Sequence, residues 1–339
     1  MLIPILLFIV GLIMLIKGGD WFVDGASGIA RRFKLPELLI GATVVSIGTT
    51  LPEVMVSAGA ALGGSGDIAY GNAIGSIICN TSLIAAVTIA IKPCKVERRA
   101  LILPSIFFAI AAAIYVTTSY VTGYFDRWIG ISLLSLFVVY MTVTVVNMLR
   151  GPKSEEEVET VEETHEKLSF GMELWAQVRG KRTSVIREII LLVIGAVVIA
   201  FGADFLVDNG IIIAEELGVP QSVIGLTFVA LGTSLPELVT AITALAKGHG
   251  ALSLGNIIGA NLFNLVLVSG ISITISPFNI PTGSVLFGQN ASLVLDIPVM
   301  LGVMALMLVP TLIRGKLSRV QGIILLAIYA GFCTVQFIM

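Results

Sequence analysis

The chain reads as an all-α polytopic membrane protein, ten transmembrane helices in two inverted five-helix repeats, and three observations predict this. Its 339 residues are 56% hydrophobic and 12% charged, with a mean hydropathy of +1.01; a soluble chain carries about twice that charge. Residues 18–80 align without a gap with residues 202–264, at a constant offset of 184 and with 24 of 63 positions identical. The basic residues, finally, segregate to one side of a ten-helix arrangement.

A spanning helix needs about 20 apolar residues. Ten segments qualify, near 3–30, 37–62, 68–91, 99–119, 127–149, 184–214, 220–246, 252–274, 290–312 and 318–338. The first begins MLIPILLFIVGLIML, without a basic leader or a small-residue cleavage site, and reads as a spanning helix. The first and sixth are overlong, as if strongly tilted or broken at Gly18-Gly19 and Gly202. The organisation expected is a first repeat over 1–149, a linker over 150–183 and a second repeat over 184–339, with paired motifs at 41–80 and 225–264.

The linker opens GPKSEEEVETVEETHEKL and is strongly acidic. It lacks the D-x-[DN]-x-[DN]-G spacing of a calcium loop, so it reads as a solvated connection and not as a sensor.

Orientation follows from Lys and Arg. Eighteen of the 20 basic residues fall on one side, from Arg31, Arg32 and Lys34 after helix 1 to Arg314, Lys316 and Arg319 after helix 9. Arg127 falls opposite, and Lys17 lies within the membrane. Taking the rich side as cytoplasmic places both termini outside and the linker inside. Five helices per repeat is an odd number, so the second copy is inverted.

The chemistry lies in the repeated motifs, GATVVSIGTTLPE at 41–53 with GLTFVALGTSLPE at 225–237, and GNAIGSIICN at 71–80 with GNIIGANLFN at 255–264. On helix 2, Ser46, Thr49, Thr50, Glu53 and Ser57 recur at helical spacing as one polar stripe, which faces a partner helix or a wet cavity and not lipid. Pro52 has no N–H, so carbonyls near Gly48 and Thr49 lose their helical donors. At this depth such oxygens need another partner. Helix 7 repeats the set as Thr227, Thr233, Ser234, Pro236, Glu237 and Thr240. Helix 3 adds Asn72, Ser76 and Asn80 on one face; helix 8 adds Asn256, Ala260 and Asn264.

Two carboxylates, hydroxyls, amide oxygens and freed carbonyls make an all-oxygen site. Hard cations such as Ca²⁺ and Na⁺ prefer it, whereas soft metals want His or thiolate. The two histidines, His165 and His249, lie in the linker and a loop, and the three cysteines form no framework. Glu53 and Glu237 together carry −2, enough to neutralise one Ca²⁺. An empty, ionised pair is costly in a low dielectric, which is the physical basis of obligatory exchange. Buried acids in repeated halves with glycine- and proline-interrupted helices point to an ion-coupled transporter. Asp20, Asp24, Asp204 and Asp208 also repeat; they either line an ion pathway or cap and pair at the helix ends, with Lys17 beside Asp20.

These motifs resemble the α-repeats of the cation/Ca²⁺ exchanger superfamily, in particular prokaryotic Na⁺/Ca²⁺ exchangers with ten helices in two inverted halves. The resemblance implies that Glu53 and Glu237 bind Ca²⁺ with the carbonyls of Thr49 and Thr233. It implies an inner Na⁺ position using Thr50, Ser76 and the Ser46 carbonyl, and an outer one using Ser234, Thr233 and the Ala230 carbonyl. The resemblance also implies that Asn80 and Asn264 flank the centre and that helices 1 and 6 slide against the ion-binding bundle.

Two positions depart from the family pattern. Ala260 replaces a serine, which weakens the outer Na⁺ position. Asn264 stands where K⁺-dependent relatives carry aspartate, which implies K⁺ independence. Three Na⁺ against one Ca²⁺ would make the exchange electrogenic.

The rival reading is a Ca²⁺/H⁺ antiporter using the same glutamates, although the GNxxE context of that branch is absent. A passive channel would build its pore from several identical subunits; here one chain holds both halves of a site, enough for a working monomer in the lipid bilayer. No nucleotide-binding motif is present, and nothing suggests an enzyme, a cofactor or a nucleic-acid partner. Ca²⁺ and Na⁺ are the expected substrates.

Overall fold

The computed structural model describes residues 2–93, 96–150, 185–217 and 232–338. Its helices are α1 (Leu2–Phe33), α2 (Glu37–Leu62), α3 (Gly66–Ile91), α4 (Arg98–Val121), α5 (Arg127–Arg150), α6 (Val185–Glu216), α7 (Leu235–Ala246), α8 (Gly250–Ile275), α9 (Ser292–Arg314) and α10 (Arg319–Ile338). Among the described residues nine are long and apolar enough to cross a bilayer, and α7 is a shorter tenth. The linker, and the front of the seventh expected span, lie outside the described residues.

The helices assemble around two apolar clusters. The larger includes Ile77, Leu101, Tyr115, Leu133, Tyr140, Ile257, Phe263 and Met300, from the bundle α3–α5, α8 and α9. The smaller joins α1 and α6, through Leu15, Phe22, Val23 and Ile199, to Ile40, Val45, Ala244 and Leu252 on the bundle. The pair α1/α6 is thus packed as a unit on a separate bundle.

That pair shows why the glycines are there. Helices α1 and α6 each run 32 residues without a break, about 48 Å at 1.5 Å per residue, so Gly18, Gly19 and Gly202 do not interrupt them. They permit contact instead. A Cβ on Gly11 would lie 2.8 Å from Gly202 O, and one on Gly202 would lie 3.0 Å from Gly11 O. A Cβ on Gly18 would lie 3.1 Å from Gly195 O, and one on Gly195 would lie 2.8 Å from Phe22 Cα. Gly11 corresponds to Gly195 and Gly18 to Gly202 in the repeat. The contact of Gly11 with Gly202 is therefore the two-fold counterpart of that of Gly18 with Gly195, the reciprocity of an isologous interface. Residue numbers rise along one helix as they fall along the other, so equivalent helices run antiparallel and the second copy is inverted.

Loops pair consistently at the two ends. At the end rich in Lys and Arg, Val96 N–H donates to Gly315 O at 2.9 Å, and His249 Nδ1 lies 2.6 Å from Glu37 Oε1. At the opposite end the short strands β1 (Tyr124–Phe125) and β2 (Phe278–Asn279) pair antiparallel, with Tyr124 opposite Asn279. A further hairpin, β3 (Val285–Leu286) with β4 (Gln289–Asn290), projects from the same loop.

Four helices contain π-turns among the described residues: Gly41–Val45 in α2, Asn80–Ala85 in α3, Asn264–Val268 in α8 and Ser292–Asp296 in α9. Such turns insert one extra residue and concentrate at functional sites. The second and third begin at Asn80 and Asn264, equivalent positions of the two repeats.

Candidate ion-binding site

The polar stripe of α2 is wholly buried. Ser46, Thr50, Glu53 and Ser57 are 0% exposed and Thr49 2%. What brings it inside is close packing on α8. A Cβ on Gly41 would lie 2.8 Å from Asn256 N, and one on Gly259 would lie 2.7 Å from Ala42 Cα, so glycine on both helices lets the backbones meet. Ser46 Oγ–H sits 2.7 Å from Gly41 O and 2.9 Å from Asn256 O, sharing its proton across this contact. Thr49 donates to Asn256 Oδ1 at 3.1 Å. Asn72 Nδ2 donates to Glu53 O at 3.2 Å and to Ser57 Oγ at 2.8 Å.

The second repeat differs at the corresponding residues. Thr233 and Ser234 form a turn, and α7 starts at Leu235 with Pro236 in its first turn; proline is tolerated there because that N–H has no helical acceptor. In the first repeat, Thr49 and Thr50 remain helical ahead of Pro52. The two copies of one motif thus differ in backbone.

Glu53 and Glu237 are each 0% exposed and their carboxylates interact with one another. Thr49 and Thr50 lie close to Glu237, and Ser234 and Glu237 lie close to Cys79. The π-turn that starts at Asn80 packs on α7, and the one that starts at Asn264 packs on α2. Each asparagine is thereby carried to the helix of the other repeat. Ser76 is buried at 5% exposure one turn before Asn80.

Among the described residues no hydrogen-bond partner meets either carboxylate oxygen of Glu53 or of Glu237, nor Thr50 Oγ1, Ser234 Oγ or the amide groups of Asn80 and Asn264. Leaving one buried polar atom unsatisfied costs about 1–3 kcal/mol, more for a charged group. Four carboxylate, two hydroxyl and two amide oxygens in that condition form an acceptor-rich centre, and it demands positive charge. A bound cation or protons supply it; the donor set of oxygen alone fits a hard cation.

Of the expected site residues, Ser46, Thr49, Thr50, Glu53, Ser76, Asn80, Ser234, Glu237 and Asn264 are buried and Thr233 is half-buried at the turn; Thr227 and Ala230 lie outside the described residues. Ala260 is fully buried at 0% exposure, between Asn256 and Asn264. Asn72 and Asn256, expected on the polar faces but outside the ion positions, support the stripe of α2 by hydrogen bonds. Each stands one turn before Ser76 or Ala260 on the polar face. The acids on α1 are also decided. Lys247 Nζ, at the end of α7, lies 3.2 Å from Asp20 Oδ1 and 3.0 Å from Asp24 Oδ1, so these acids pair across the repeats.

Over residues 3–146 and 187–338 the chain matches the family model for sodium/calcium exchanger protein. The chain belongs to this family. The exchanger is 30% identical to the sodium/calcium exchanger MaX1 of Methanosarcina acetivorans, over 98% of each chain. It is 36% identical to an uncharacterized membrane protein of Methanocaldococcus jannaschii, over 95% of this chain and 94% of that one. It also superposes on the solved sodium-calcium exchanger NCX_Mj, soaked with 10 mM Na⁺ and no Ca²⁺, with a TM-score of 0.76, 31% identity and 97% of each chain covered. It is thus a membrane transporter of cations, including Ca²⁺, and not an enzyme.

Proposed function

We propose that the exchanger is a Na⁺/Ca²⁺ antiporter that moves about three Na⁺ against one Ca²⁺ and carries net charge. The observation that supports it is the buried pair Glu53 and Glu237, ringed by oxygen and without a basic partner among the described residues. One Ca²⁺ brings the pair to neutrality. Three Na⁺ would leave one positive charge, held by hydroxyl and carbonyl dipoles. An empty ionised centre is too costly to cross the membrane, so each reorientation requires an occupied one.

In this reading Ca²⁺ is held by Glu53, Glu237 and the carbonyls of Thr49 and Thr233. The inner Na⁺ takes Thr50, Ser76 and the Ser46 carbonyl; the outer takes Ser234, Thr233 and the Ala230 carbonyl; Asn80 and Asn264 flank the centre. With Asn264 in place of an acid, K⁺ is not required. Residues 1–149 and 184–339 form the inverted halves, and 150–183 a cytoplasmic linker, with both termini outside a prokaryotic plasma membrane. One chain in a lipid bilayer suffices, and α1 with α6 moves against the bundle to expose the centre alternately.

Proteoliposomes loaded with Na⁺ at matched pH test this. Uptake of ⁴⁵Ca²⁺ is expected to require the Na⁺ gradient and to generate a membrane potential. Uptake indifferent to Na⁺ but driven by a pH gradient would replace this reading with a Ca²⁺/H⁺ antiporter using the same glutamates.

A further inference from the structure

We infer that Lys247 determines the sidedness of exchange, by tying the α1/α6 pair to the bundle at the basic end only. This rests on the antiporter reading above and on its orientation. The ammonium of Lys247 sits among three oxygens of α1: Asp20 O at 2.9 Å, Asp20 Oδ1 at 3.2 Å and Asp24 Oδ1 at 3.0 Å. The acids lie at i and i+4 and so share a face of the helix.

Lys247 is held in place by the end of its own helix. Gly248 N–H donates to Leu245 O at 3.1 Å and His249 N–H to Ala244 O at 2.8 Å, with Gly248 at φ +84°. This is a Schellman turn with Lys247 as its C-cap, where a cation also meets the negative end of the helix. Directly beneath it, α1 presses on α7: a Cβ on Gly19 would lie 2.9 Å from Thr243 Oγ1. The bridge therefore crosses the interface at which the pair and the bundle must part for that end to open.

The first repeat builds the same turn at the opposite end. Gly64 N–H donates to Ala61 O at 3.0 Å and Ser65 N–H to Ala60 O at 2.8 Å, with Gly64 at φ +76°. Its C-cap, the counterpart of Lys247, is Gly63, which has no side chain. The counterparts of Asp20 and Asp24 are retained as Asp204 and Asp208, and both are exposed. The acidic pair is thus present at both ends and the lysine at one. The asymmetry favours conformations closed at the basic, cytoplasmic end, so the unoccupied exchanger rests open to the outside.

The test is Lys247→Gly, which gives this end the C-cap of the other, beside the mirror variant Gly63→Lys, whose backbone φ of −77° accepts any residue. Half-saturating Ca²⁺ is measured separately at the two faces of oriented proteoliposomes, and hydrogen exchange is followed over residues 20–34 and 243–250 in detergent. A part-exposed bridge of this kind is worth up to about fivefold in an equilibrium. Lys247→Gly, and independently Asp20→Asn with Asp24→Asn, are expected to lower half-saturating Ca²⁺ at the cytoplasmic face by about two- to fivefold, to raise it at the outer face, and to speed exchange at both segments. Gly63→Lys is expected to shift the faces in the opposite sense.

Melting temperatures within a few degrees of the parent identify folded variants. An unchanged ratio between the faces in folded Lys247→Gly, with parental Na⁺-dependent flux, overturns the inference. Absence of Na⁺-dependent flux in the parent overturns the antiporter reading instead, and the hydrogen-exchange result still decides whether the bridge holds that end shut.

Discussion

Glu53 and Glu237, 184 positions apart in the chain, meet at the centre of the bundle with no hydrogen-bond donor to any of their four carboxylate oxygens among the described residues. Each is carried there by the same motif read in opposite directions through the membrane. Their proximity makes the centre costly when empty.

Replacing either acid by its amide is expected to abolish transport while preserving the fold. Glu53→Gln or Glu237→Gln removes half the charge that faces Ca²⁺, a loss of at least about 3 kcal/mol and so at least ~100-fold in affinity. Like-charge repulsion disappears at the same time, so the ion-free variant should melt no lower than the parent. Parental ⁴⁵Ca²⁺ flux in either variant would remove these residues from the site.

Ca²⁺ should stabilise the parent against heat. A ligand bound only by the folded state contributes about 2.7 kcal/mol at 100 times its dissociation constant. Melting curves with chelator and with saturating Ca²⁺ should differ by several degrees in the parent and coincide in Glu53→Gln.

Ala260→Ser should strengthen Na⁺ binding. Position 260 is fully buried on the face that carries Asn256 and Asn264, and its counterpart Ser76 has a hydroxyl. One added oxygen is worth about 1 kcal/mol, so half-saturating Na⁺ should fall about fivefold. Unchanged Na⁺ dependence would show that the outer position does not reach this residue.

Thr49 and Asn256 should be energetically coupled. Their 3.1 Å hydrogen bond joins α2 to α8 beside the centre. In a cycle of Thr49→Val, Asn256→Leu and the double variant, Ca²⁺ binding should reveal a coupling of about 1 kcal/mol. Strict additivity would mean that Asn256 does not hold Thr49 in its working position.

Gly18→Val should separate α1 from α6. Its side chain would enter a space where a Cβ already lies 2.9 Å from Ile199 N, and overpacking of this kind costs about 1–3 kcal/mol. Gly59→Ala is the matched control, with nothing within 4 Å of a Cβ among the described residues, and should be neutral or slightly stabilising. Equal melting temperatures for the two variants would contradict the close contact.

The helices and the two glutamates were legible in the sequence because both depend on short-range pattern. Twenty apolar residues announce a span wherever they pack, and an acid inside one announces a site. Of tilt or a break at Gly18-Gly19 and Gly202, the break does not hold, because a helix break and a close helix contact use the same residue and only the partner's position separates them. The π-turns at Asn80 and Asn264 left no mark, since one inserted residue changes no local composition. Lys247 reads in the sequence as one more of the basic residues that set orientation, and its partners Asp20 and Asp24 lie more than 220 positions away. Pairing at that separation follows from how the repeats interlock and not from spacing along a helix.

The glycine seam between α1 and α6 restricts how these helices travel. Their contact points recur every seven residues, at Gly11 and Gly18 on one and Gly195 and Gly202 on the other. The next register in which glycine again meets backbone is therefore about 10.5 Å away. Any smaller offset drives a side chain into a main chain. The two helices act as one rod, and a displacement imposed on either end of one is delivered whole to the other.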